Sequence, residues 1–76
     1  MNNSRRKQLA DLRIGLEDIR STLEDLKEEE QEYMDNMPEN LWGSERYDIA
    51  EEAVQNMEDA LNELDDAISS IEDAEV

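Results

Sequence analysis

Apolar residues recur every seven positions through both halves of this chain. In the second half, Glu51–Met57 reads EEAVQNM, Glu58–Leu64 reads EDALNEL, Asp65–Ile71 reads DDAISSI, and Glu72–Val76 opens a fourth copy, EDAEV. In the first half, three units starting at Leu9 read LADLRIG, LEDIRST and LEDLKEE. A seven-residue apolar period predicts helices packed along a seam. With Leu9 at heptad position a, the first helix carries Leu9, Leu16 and Leu23 at a, and Leu12, Ile19, Leu26 and Tyr33 at d. The second carries Tyr47, Val54, Leu61 and Ile68 at a, and Ala50, Met57, Leu64 and Ile71 at d.

Punctuation divides the pattern. Asn3 or Ser4 offers an N-cap for a helix over 4–35. Pro38 disfavours helical geometry at Met37, and Gly43 interrupts again, giving a connector over 36–43. Ser44 caps a second helix over 44–75. Two long helices with so short a link fold back on each other, so the expected class is all-α, an antiparallel two-helix coiled-coil hairpin.

In antiparallel coiled coils the e positions of the two helices face each other. Here they carry Arg6, Arg13, Arg20 and Lys27 on one side and Glu51, Glu58, Asp65 and Glu72 on the other. One rigid register pairs Arg6–Glu72, Arg13–Asp65, Arg20–Glu58 and Lys27–Glu51, and a slip of one heptad loses one pair. That register stacks Leu9 on Ile71, Leu16 on Leu64 and Leu23 on Met57, and leaves Glu30, an acid at an a position, opposite Ala50. The g flank is small: Gly15 and Thr22 on helix one, Ala53, Ala60, Ala67 and Ala74 on helix two. A hairpin of this size buries only one seam, so a homodimer docked through this flank into a four-helix bundle is expected.

Composition narrows the function. The 76 residues include no Cys and no His, which removes disulfides, thiolate metal sites and the His-containing di-iron pattern of helical bundles. No EF-hand loop, phosphate loop or nucleophile–base pair is present, so neither enzyme activity nor a cofactor is expected. No apolar run approaches the roughly 20 residues of a membrane span, and no apolar stretch follows Arg5, Arg6 and Lys7 as a secretory signal requires. A cytoplasmic setting is expected. With 23 acids against 7 bases, net −16, the chain should not bind nucleic acid or an anionic membrane directly and should attract basic proteins. Such a charge, with only three aromatic residues, also marks disordered chains. Regular Leu, Ile and Val heptads argue for order.

The acids form columns. Glu52, Asp59, Asp66 and Asp73 lie at f of helix two, and Asp11, Asp18 and Asp25 at c of helix one. Regularly spaced negative charge on a rod imitates one property of DNA. The candidate partner-binding face is therefore Glu52, Asp59, Asp66, Asp73, Asp11, Asp18 and Asp25. Leu41 and Trp42 in the connector are candidates either for capping the bundle end or for anchoring a partner.

The stretch PENLWGSERY (Pro38–Tyr47), continuing to Leu61 and preceded by MNNSRRKQL, resembles small acidic helical proteins encoded by phages and prophages of Gram-positive bacteria. The likeness covers about a third of the chain. It implies expression in the bacterial host cytoplasm. With the acidic surface, it leads to the expectation of a non-catalytic inhibitor of a basic host protein, of the nucleic-acid-binding or defence class, bound by DNA mimicry. The competing expectation is a structural or adaptor module with an apolar interface. A nucleotide-binding role conflicts with the net charge.

Overall fold

The computed structural model describes all 76 residues. Two helices, α1 (Asn3–Asp35) and α2 (Glu45–Ala74), run antiparallel and are joined by a connector holding a 3-10 turn at Glu39–Leu41. Together they make a rod 59 Å long and 14 by 12 Å across. The all-α hairpin expected from the heptads is the observed fold. Its first cap lies one residue earlier than expected: Asn2, in extended conformation, accepts a hydrogen bond from the Arg5 N–H at 2.8 Å. Ser44 caps α2 as its side-chain type dictates, accepting from the Tyr47 N–H at 3.3 Å.

The register differs from the expected one by a single heptad. Arg20 pairs with Asp65 rather than Glu58, and Lys27 pairs with Glu58 rather than Glu51. Arg13 reaches past Glu72 to Glu75. Neither Arg6–Glu72 nor Lys27–Glu51 forms. The cause lies at the closed end of the hairpin. After α1 ends at Asp35, the chain leaves helical geometry, with Pro38 extended (φ −57°, ψ 143°) before the 3-10 turn. Met34 and Met37 are thereby buried, Met34 forming a small core with Ala50 and Val54, against which Tyr47 packs. Burying a methionine side chain stabilises by about 1.5–3 kcal/mol. The exposed ion pair given up contributes about 0.2–1 kcal/mol. Two methionines outweigh one pair, so the shifted register wins.

A second difference is a rotation of α1. The seam residues of α2 are those of the a/d pattern: Ala50, Val54, Leu61 and Ile68 are buried. On α1 the inward face is a and e, with Leu9, Leu16 and Leu23 alternating with Arg13, Arg20 and Lys27 at partial burial. The basic residues lay their aliphatic stems over the seam and reach out to acids on α2. Turning e inward turns d outward.

The connector is well determined by hydrogen bonds. The N–H groups of Leu41 and Ser44 donate to the carbonyls of Pro38 and Leu41 at 2.9 and 3.0 Å, and the Trp42 indole N–H donates to the Met37 carbonyl at 3.0 Å. Gly43 has φ +85°, a region where an L side chain costs about 1–2 kcal/mol. Gly43→Ala should lower stability by that amount in urea denaturation, although no atom obstructs the new Cβ.

Candidate functional site

With the ion pairs along one edge of the rod, the opposite edge is open. There α1 presents its d column: Leu12 is 61% exposed, Ile19 57%, Leu26 50% and Tyr33 45%. A helix that repeats a large apolar residue every seven positions normally hides that column, and here about half of each side chain stays in water. The heptad pattern alone places these residues in the seam. The signal that could have placed them outside is the run of long basic residues at e, whose stems compete with d for the same groove.

On α1 the g positions Gly15 and Thr22 border this column, as the wheel order d–g–c requires. Ala53 and Ala60 of α2 are half-buried, and Ala67 and Ala74 exposed. Gly15 has open space around it, with nothing within 4 Å of an added Cβ, so no helix within this chain approaches it closely. Thr22 is exposed and donates its hydroxyl to the Asp18 carbonyl at 3.2 Å. Shallow depressions interrupt the face. One is lined by Asp18, Ile19, Thr22, Leu23 and Leu26. Another, near the closed end, brings Glu30 and Tyr33 of α1 together with Glu45, Arg46, Ile49 and Ala50 of α2. Glu30 is half-buried in this depression, which Ala50 also lines.

The acidic columns lie elsewhere. Glu52, Asp59, Asp66 and Asp73 are exposed on the outer side of α2 and make no ion pair; Asp59 accepts only a side-chain hydrogen bond from Gln55 at 3.2 Å. Asp11, Asp18 and Asp25 are exposed on α1, next to the apolar column rather than beside the α2 acids. The seven named acids thus do not converge on one face. The shifted register also frees Glu51 and Glu72, which the expected pairing had committed to the hairpin. Glu51 joins Asp48, Glu52, Gln55 and Asn56 in a wholly polar depression.

The bases are divided in the same way. Arg20 bonds both carboxylate oxygens of Asp65, and also Glu24 at 2.6 Å. Arg13 bonds Glu75 at 2.8 Å and Glu17 at 3.1 Å. Both guanidinium groups are held above their ordinary pKa, Arg13 first by the bond to Glu75 and Arg20 first by the bond to Asp65. They are charged across the whole neutral range. Arg5, Arg6, Lys7 and Arg46 form no ion pair. Because Arg13 already pairs next to the end of α2, the turn carrying Arg5, Arg6 and Lys7 runs on beyond α2 as a basic overhang.

At the connector, Trp42 is half exposed. One ring face stacks on Tyr47, with centroids 6.1 Å apart and planes at 30°, and Leu41 beside it is 42% exposed. Trp42 thus packs on the end of the rod and still presents surface. No group of acids is arranged to hold a metal ion, and no helix is long and apolar enough to cross a membrane. The chain matches no family model, no curated protein and no solved structure.

Proposed function

We propose that the protein is a non-catalytic helical docking module whose working surface is the open apolar edge, the d column of α1. The observation that carries this reading is the continuous exposure of Leu12, Ile19, Leu26 and Tyr33 along one edge. Residues that large on one stripe of a small soluble rod mark an interaction surface. Docking another helix there completes a bundle and removes the stripe from water.

The test is the double variant Ile19→Asp/Leu26→Asp, compared with wild type in binding the neutral apolar dye Nile red at sub-micromolar protein. Wild type should enhance the dye and the variant should not, with equal helical circular dichroism. Equal enhancement by both proteins removes the reading.

A second reading is favoured by the unpaired f column of α2. In it, Glu52, Asp59, Asp66 and Asp73 engage a basic protein, as a phage-type inhibitor acting through DNA mimicry would. The regular negative charge and the likeness in Pro38–Tyr47 support it. Reversal of all four acids to lysine should then abolish capture of a basic nucleic-acid-binding protein, and wild-type capture should fall steeply as salt rises. Capture that is insensitive to both changes eliminates this reading.

A further inference from the structure

We propose that the occupant of the open edge is a second copy of this chain, with α1 packed antiparallel on its counterpart about a two-fold axis at Ile19. The proposal rests on the docking-face reading and adds the partner and its register.

Three observations support it. The first is size. The open column runs from Leu12 to Tyr33 along a rod 59 Å long, which fits another long helix better than a short peptide. The second is placement. Ile19 is the midpoint of α1, which spans Asn3–Asp35, so an antiparallel pair centred there overlaps over the whole helix. Leu12 then meets Leu26 of the other copy, and Arg5, also at d, meets Tyr33, where a guanidinium can lie on the ring face.

The third observation is charge. α1 is polar along its length: Arg5, Arg6 and Lys7 at one end, and Glu28, Glu29, Glu30 and Glu32 at the other. The heptad shift leaves the basic end projecting past α2 without acids opposite it. Antiparallel α1–α1 packing places each basic overhang beside the acidic end of the other copy. The alternative two-fold, with α1 of one copy over α2 of the other, keeps both basic overhangs at the same end and gains nothing from this polarity. The bulk charge of −16 on each copy still opposes association. The dimer should therefore tighten several-fold from low to moderate salt, opposite to the capture of a basic protein.

The test uses the absence of cysteine in the chain. Single variants Leu12→Cys, Ile19→Cys and Leu26→Cys are oxidised with copper-phenanthroline at tens of micromolar, alongside sedimentation equilibrium of wild type. The expected mass is twice 8.8 kDa. Ile19→Cys should cross-link to itself in high yield, and Leu12→Cys should cross-link to Leu26→Cys but not to itself. Self-linking of Leu12→Cys, or failure of Ile19→Cys to link, overturns the arrangement. A mass of 8.8 kDa at every salt concentration overturns the second copy as occupant. If that monomer still enhances Nile red through Ile19 and Leu26, the docking face stands without it; if it does not, both fall.

Discussion

Leu61→Ala should destabilise the hairpin by about 2–5 kcal/mol, whereas Leu26→Ala, at protein concentrations that keep it monomeric, should change stability by no more than about 0.5 kcal/mol. Both residues are leucines in the heptad stripe. Leu61 is 6% exposed and packed in the seam; Leu26 is 50% exposed on the open edge. Truncating Leu61 removes buried contacts and leaves a cavity that the two rigid helices cannot fully close. Truncating Leu26 removes a side chain that is already half in water and leaves no closed cavity. Native stabilities are about 5–15 kcal/mol, and a domain this small sits at or below the lower end, so the first variant should be largely unfolded at room temperature. Urea denaturation followed by circular dichroism at 222 nm reads both. Equal losses would mean that α1 buries its d column after all, and the docking face would disappear with that result.

Met34→Asp should be as damaging, and for a different reason. Met34 is 5% exposed, in contact with Ala50 and Val54, and it holds the shifted register. A carboxylate there has no base within the cluster, and burying it unpaired costs several kcal/mol. The hairpin has an alternative open to it. Sliding by one heptad releases residue 34 to the connector and restores an opposite partner for Arg6. The variant should therefore show a lower urea midpoint together with a changed distance between spin labels at positions 20 and 58, which face each other only in the slipped pairing. A lower midpoint with unchanged distances would show that the closed-end cluster stabilises the hairpin without selecting its register.

The two helices, the turn and the antiparallel sense are all legible in the sequence, because periodicity, Pro38, Gly43 and Ser44 agree with one another. The buried face of α2 is legible too, since its a and d residues are apolar and its e residues acidic, leaving one possible seam. α1 is ambiguous. It has apolar residues at a and d, and at e it has arginines and lysine whose stems are also apolar, so two faces could be buried at nearly equal cost. The register is hidden for a related reason. Charges that repeat every seven residues match themselves after a shift of seven, and the difference is one exposed pair. Only features that do not repeat break the tie: Met34, Met37 and the extended chain at Pro38. The acidic columns follow from the same heptads, and the rotation of α1 sets Asp11, Asp18 and Asp25 apart from the α2 column.

The ends of the rod are unequal. At the turn, Met34, Met37, Ala50 and Val54 are buried within a few residues of each other, and Trp42 lies over Tyr47. At the other end, the outermost ion pair between the helices is Arg13 with Glu75, with no buried apolar cluster beside it. Bringing the two helices of this cluster together requires closure of only the short segment between Met34 and Ala50, a sub-microsecond class of event. Each further layer joins residues already held side by side. Assembly should proceed as a zipper from the turn and fray from the free end, with rapid overall kinetics as expected for short-range contacts. Because Trp42 is the sole tryptophan and sits at the point of closure, its fluorescence should report the beginning of the zipper while helical dichroism reports its length.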